Sequence, residues 1–323
     1  MLKTLALCAF VLGSLSLPVS AATQAVDVPL HGNGKFIETP RGRIYYETEG
    51  AGPAVVLVAG GPGSSHASFH PWFSRLKANH QVIYFDNIGR GRSDRARDGA
   101  YSVASDVADI EALRSALGLD TISLIGHSYG GIPALAYAIA HPEHVHRLVL
   151  SSAMVDAQSF QMNIDSANQL ASTQFPEIWT KLMVLRQRGI KSGATEYENL
   201  YGQAEGDLYW SDPANAAKLW SSGDRRDGLN FAVYESILGD DPEWTVGGSL
   251  KGYTQLAAAA HLRVPVLITS GRFDRVATPA VAARTAAALP SDSTRLVVFE
   301  HSGHRPWIEE ADAWFKLVSE FLE

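Results

Sequence analysis

A mostly parallel, eight-stranded sheet with helices on both faces and a helical cap inserted after the sixth strand is the α/β fold this sequence predicts, on three observations. From Gly34 onward, short β-rich runs alternate with helical patterns, the pattern of a parallel sheet covered on both sides. Six of those runs are continuously apolar, as strands buried on both faces must be. After Ser152 about a hundred residues then pass before the next strand at Val264, and a structureless loop of that length does not fit inside a compact domain. That stretch is rich in helix formers and holds Trp179, Trp210, Trp220 and Trp244, so it is expected to fold as a cap over the sheet.

The elements follow in order. Residues 36–39 and 43–47, separated by Pro40-Arg41-Gly42, read as an opening hairpin. The apolar strands are 54–59, 82–86, 122–125, 148–151, 264–269 and 296–299. In the clearest helix, Val103, Val107, Ile110, Leu113 and Leu117 recur at steps of three and four, which leaves Asp106, Asp109, Glu111 and Arg114 for solvent. An alanine-rich helix is expected over 132–140. The organisation that results is a leader at 1–21, a core in two parts at 22–153 and 262–323, and the cap at 154–261.

Composition sets bounds on function. Of 323 residues, 46% are hydrophobic and 19% charged, enough for one large core. The net charge of −7 and the absence of any basic run argue against nucleic acid as a partner. Lys3, the apolar run 5–17 and Val19-Ser20-Ala21 have the layout of a signal peptide, with cleavage expected after Ala21 or Ala22. Gly13, Ser14 and Ser16 interrupt that run, which is shorter than the ~20 residues of a spanning helix. Export to the periplasm or beyond is expected, with no stable membrane insertion after cleavage. The only cysteine, Cys8, lies in the leader, and Leu7 before it is too bulky for a lipoprotein cleavage site. The mature chain is therefore expected to lack disulfides and thiolate metal sites.

The strongest chemical signal is Gly126-His127-Ser128-Tyr129-Gly130, set between the strand 122–125 and the helix 132–140. A strained strand-to-helix turn exposes a serine hydroxyl, and side chains two residues either way would collide with neighbouring backbone. A hydroxyl is a weak nucleophile until a base takes its proton, so an acid and a histidine must follow. Asp274 comes just after the strand 264–269, and His304 just after 296–299. His301 competes for the base, with His304 favoured because Gly303 lets the loop turn back. Asp156 competes for the acid, and a helix cap at Thr278-Pro279 is the plainer reading of Asp274. Gly60-Gly61-Pro62-Gly63 follows the strand 54–59 without a Gly-Lys-Ser/Thr ending, so it reads as an oxyanion loop rather than a phosphate loop. The amides of Gly61 and Tyr129 are its expected donors. His141, His144 and His146 sit in a connection around Pro142 and are not expected to bind metal; no metal and no cofactor is predicted.

These motifs resemble the proline iminopeptidase branch of the α/β-hydrolases, which includes the tricorn-interacting aminopeptidase. The likeness runs from about Gly34 to the C-terminus. Its most specific pieces are Gly60-Gly61-Pro62-Gly63-Ser64-Ser65-His66 and the turn Asp86-Asn87-Ile88-Gly89-Arg90-Gly91-Arg92-Ser93. Ser128, Asp274 and His304 fall on that family's triad. Gly239-Asp240-Asp241-Pro242-Glu243-Trp244 is similar to the cap segment whose glutamate holds the substrate's amino group, which implies that role for Glu243. Ala59 stands where the family has histidine, and Arg275 stands where the tricorn-interacting enzyme has a second glutamate; a cation there would repel an ammonium. The resemblance implies a small peptide or amide substrate. The same triad also serves a carboxylesterase or lactonase with an apolar pocket. A catalytically silent binding protein would lack a triad member, and dehalogenases and epoxide hydrolases would carry aspartate at position 128.

Overall fold

The computed structural model describes residues 31–205 and 208–323; the expected leader and Cys8 lie outside the described residues. The hairpin is β1 (Lys35–Thr39) and β2 (Gly42–Glu49), followed by β3 (Ala54–Val58) and β4 (Gln81–Phe85). Then come α1 (Val103–Ala116), β5 (Ile122–His127), α2 (Gly131–Ala140) and β6 (Val145–Ser151). The long insert carries α3 (Ala157–Gln174), α4 (Pro176–Gln187), α5 (Thr195–Glu205), α6 (Phe231–Leu238) and the short α7 (Leu256–Ala259). The chain returns as β7 (Val266–Gly271), α8 (Pro279–Ala288), β8 (Thr294–Phe299), α9 (Pro306–Glu309) and α10 (Ala311–Leu322).

One eight-stranded sheet results, in the order β1-β2-β4-β3-β5-β6-β7-β8. β1, β2 and β4 pair antiparallel, and every pairing from β4 to β8 is parallel. Alternate residues of the apolar strands face opposite layers, as the period of two requires. Val56, Ile83, Leu124, Leu148 and Ile268 pack with Ile110, Leu113, Leu135 and Ala282 of α1, α2 and α8. Val55, Tyr84, Ile125, Val149 and Leu267 pack with Phe73, Trp314, Phe315 and Val318 on the other side. Each fully buried aliphatic side chain of this kind contributes roughly 1.5–3 kcal/mol.

Two of the boundaries that differ from the sequence reading have a local cause. β6 begins at Val145, because the first turns of that strand alternate exposed His146 and half-buried Arg147 and so lack the continuous apolar signature. β7 begins at Val266, after Pro265, whose carbonyl accepts from Leu148 N while the ring leaves no N–H to continue the ladder. Among the described residues no helix is long and apolar enough to cross a membrane.

A larger correction concerns α1. Asp106 and Asp109, expected in solvent, are 1% and 2% exposed. The Arg90 guanidinium forks onto Asp106 at 2.6 and 2.9 Å, and the Tyr129 hydroxyl donates to Asp106 Oδ2 at 2.9 Å. Asp109 accepts from Ile88 N at 2.9 Å, and burial, reinforced by the charge of Asp106, pushes its carboxyl up to about 6. The helix therefore buries a polar stripe beside its apolar one, because the 86–93 turn brings cationic and amide donors to it.

Candidate active site

Ser128 follows β5 directly and opens a single 3-10 turn, Ser128–Gly130, that runs into α2. Its φ of 55° is the left-handed conformation that side chains other than glycine rarely adopt, at a cost of order 1–3 kcal/mol. The neighbouring backbone enforces it: a β-carbon on Gly130 would lie 2.2 Å from the carbonyl oxygen of Val58. The hydroxyl thus projects from the carboxyl edge of the sheet, where Oγ lies 3.7 Å from Met154 Sδ.

Asp274 and His304 come together at the same edge from the loops after β7 and β8. His304 Nδ1 lies 3.1 and 3.0 Å from the two oxygens of Asp274, and both residues are 2% exposed. The carboxylate only accepts, so Nδ1 carries the proton and Nε2 keeps its lone pair. Asp274 Oδ1 also accepts from Val276 N and Ala277 N, each at 2.9 Å, which fixes the carboxylate plane. It does not cap α8, whose N-cap is Thr278.

The competing residues are held elsewhere. Asp156 caps α3 through Ser159 N and pairs with Arg284 at 3.1 and 2.7 Å. His301 is exposed, and its amide donates to Glu310. Gly303 matters for a reason other than the one expected. A β-carbon there would come 2.6 Å from the Tyr209 carbonyl oxygen and 2.8 Å from Trp210 Cα, so glycine allows the histidine loop to dock against the insert. His304 N donates to that same Tyr209 oxygen at 2.8 Å.

The glycine loop lies against the serine: a β-carbon on Gly60 would sit 2.7 Å from Ser128 Cβ. Arg90 ties the two parts together, since its Nε donates to Pro62 O at 2.5 Å while its other nitrogens hold Asp106 and, through it, the Tyr129 ring. The segments that bear the Gly61 and Tyr129 amides are therefore anchored by one buried ion pair.

Ser128, His304 and Gly61 open on a cavity of about 330 Å³ roofed by the insert, with Phe160, Tyr201 and Phe231 among its apolar walls. None of the four insert tryptophans lines it; Trp244 instead donates to Tyr197 at 2.7 Å and packs against Trp179. Glu243 lines it, and Tyr234 donates to its Oε1 at 2.9 Å. So does Glu198 of α5, which the sequence reading missed: in a segment that also holds Glu196 it has the pattern of a solvated face. Burial, and then the nearby Glu235, raise the Glu198 carboxyl above its ordinary value. Arg275 is not among the residues that line the cavity, whereas its neighbour Val276 is.

Two basic residues flank the histidine and were also missed. His127 packs 4.7 Å from the His304 ring, and burial, with the charges of His304 and Arg305, holds it well below its ordinary value and hence neutral. Arg305 lies over Tyr209 and Trp210, 5.4 Å from each ring centroid.

Known proteins resemble this chain in sequence and in fold. The α/β hydrolase fold family matches over residues 53–311. The proline iminopeptidase of Lactobacillus delbrueckii subsp. bulgaricus is 33% identical over 293 residues, 87% of this chain and 92% of that one. The proline iminopeptidase of Heyndrickxia coagulans is 27% identical over 294 residues, 89% of this chain and 97% of that one. The crystal structure of the proline iminopeptidase of Mycobacterium smegmatis superimposes with a TM-score of 0.69 at 18% identity, covering 90% of this chain and 97% of that one, a likeness of fold. With a family match across most of its length and a relative this similar, the chain belongs to the α/β-hydrolase family, in its proline iminopeptidase branch.

Proposed function

We propose that this enzyme releases an N-terminal residue, proline by preference, from small peptides and amides through an acyl-enzyme on Ser128. The observation that carries this reading is the cavity itself: Ser128 and His304 at its base, and the carboxylates of Glu243 and Glu198 facing the same space. A substrate with a free secondary ammonium places its cation against those carboxylates and its first carbonyl over the serine. A carboxylate destabilised by burial gains most from such a partner.

In the chemistry that follows, Ser128 Oγ attacks the carbonyl carbon as its proton passes to His304 Nε2. The amides of Gly61 and Tyr129 receive the oxyanion, and Asp274 stabilises the imidazolium. His304 then protonates the departing amine, and a water deprotonated by the same nitrogen releases the acyl group.

Glu243→Gln should lower kcat/KM for proline β-naphthylamide at least ~tenfold, since loss of a charged partner in a desolvated site costs about 2–5 kcal/mol. The glutamine keeps an acceptor for Tyr234, and turnover of p-nitrophenyl acetate should stay near the wild-type value. Glu198→Gln should act in the same direction. Wild-type indifference to the proline amide, or glutamine variants that handle both substrates like wild type, would establish an ester hydrolase instead.

The signal-peptide layout of the sequence at residues 1–21 supports a second part of the proposal, that the enzyme works outside the cytoplasm. Edman sequencing of the protein from its native host should begin at Ala22 or Thr23; a chain beginning at Met1 rules this out.

A further inference from the structure

We propose that His31, Glu47, His66 and His70 form a closed site for a divalent transition-metal ion of the zinc class, which clips the segment before β1 and the turn after the glycine loop to β2, with Asp227 of the insert supporting it from outside. Each of the four offers one ligand atom, and these atoms all lie within 4.8 Å of one another. Tetrahedral bonds of about 2.0–2.2 Å give ligand–ligand edges of about 3.3–3.6 Å, so a modest contraction closes the four atoms on an ion. Three imidazoles and a carboxylate suit the later first-row divalent ions, zinc among them.

Burial makes the arrangement hard to explain as ordinary packing. Glu47, His66 and His70 are 2%, 0% and 2% exposed, and polar groups that deep need partners. Among the described residues, His31 Nδ1, His66 Nε2 and His70 Nδ1 are buried without a hydrogen-bond partner. His66 Nε2 stands 3.3 Å from Glu47 Oε1 without hydrogen-bond alignment, and His70 Nε2 lies 3.1 Å from Glu47 Oε2. Tyr45 holds Glu47 from behind, donating to Oε1 at 2.6 Å.

The outer ring nitrogens carry the second sign. His66 Nδ1 lies 2.9 Å from Asp86 Oδ1, and His31 Nε2 lies 2.8 Å from Asp227 Oδ2. A carboxylate on the far nitrogen of an imidazole is the support that metal-bound histidines use to fix tautomer and orientation. The Arg92 guanidinium also approaches His31 Nε2 at 3.0 Å, but Asp224 at 2.9 Å and Asp227 at 3.7 Å balance its charge. Trp220 stands edge-on to His31 at 4.7 Å and shields the group.

The elements that would be joined indicate the purpose. Glu47 is on β2. His66 opens, and His70 closes, the 3-10 turn that continues Gly60-Gly61-Pro62-Gly63. Asp227 ends the turn Arg225–Asp227 of the insert. An ion here would brace the loop that carries Gly61 without entering the cavity. The sequence reading predicted no metal; His66 and His70 do stand at the H-x3-H spacing of zinc ligands, but their partners His31 and Glu47 lie far upstream.

The test uses the full-length mature protein, stripped with chelator and dialysed. Titration with Zn²⁺ by calorimetry should show one ion bound per chain, and Zn²⁺ should raise the Tm. Co²⁺ should give the intense visible bands of a tetrahedral site. Asp227→Asn, which leaves all four ligands in place, should weaken Zn²⁺ binding roughly 10- to 100-fold, and His70→Ala should abolish the cobalt spectrum. If His70→Ala does not fold, Asp227→Asn and the wild-type spectrum decide. No tetrahedral cobalt bands in the wild type would mean that protons rather than a metal hold the cluster, Zn²⁺ affinity unchanged in Asp227→Asn would mean that the ion binds elsewhere, and in either case the proposal fails.

Discussion

Ser128→Ala should lower kcat by ~10⁴ to 10⁶ and abolish labelling by a fluorophosphonate, while leaving the fold intact. The size follows from the role: without Oγ no acyl-enzyme forms, and only the binding and oxyanion contributions remain to accelerate attack by water. The fold should survive because the lost contact is one weak approach to Met154 Sδ at 3.7 Å. Alanine at φ 55° bears the same strain as serine, so the Tm should scarcely move. Ser128→Gly provides the control. Glycine adopts that φ freely, so this variant should be equally inactive and at least as stable as Ser128→Ala, showing that the strain serves the hydroxyl and not the fold. Full labelling of the alanine variant would place the nucleophile elsewhere.

The sheet was legible in the sequence because strands buried on both faces leave continuous apolar runs, and the helices between them leave a different period. Where a strand has an exposed end, as His146 and Arg147 give β6, that signal fades and the boundary shifts. The loops that hold Ser128, Asp274 and His304 could be placed at one sheet edge for a related reason: each follows a strong strand within a few residues. Asp106 and Asp109 were misread because helical periodicity records only side-chain chemistry along one helix, and the partner that buries Asp106 is Arg90, on another loop. Glu198 and the cluster around Glu47 were invisible for the same reason at longer range. Their significance depends on how the insert and the N-terminal segment pack, a tertiary fact that no spacing encodes.

Asp274→Asn should lower kcat by ~10⁴, about 5 kcal/mol of barrier, with little change in Tm or in KM. The geometry dictates which way the amide must sit. Oδ1 accepts from both Val276 N and Ala277 N, so the asparagine oxygen has to occupy that position or leave two buried donors unsatisfied, at about 1–3 kcal/mol each. The NH₂ is then forced into the Oδ2 position, 3.0 Å from His304 Nδ1. A donor there drives the imidazole to the tautomer with its proton on Nε2, which can no longer accept the proton of Ser128. Asp156→Asn makes the matched comparison. Asn still caps α3, and the change removes a charge from the Arg284 pair, so stability should fall while kcat is unchanged. Steady-state kinetics and thermal melts on the two variants separate these outcomes. A large kcat loss in Asp156→Asn with normal turnover by Asp274→Asn would transfer the orienting role to Asp156.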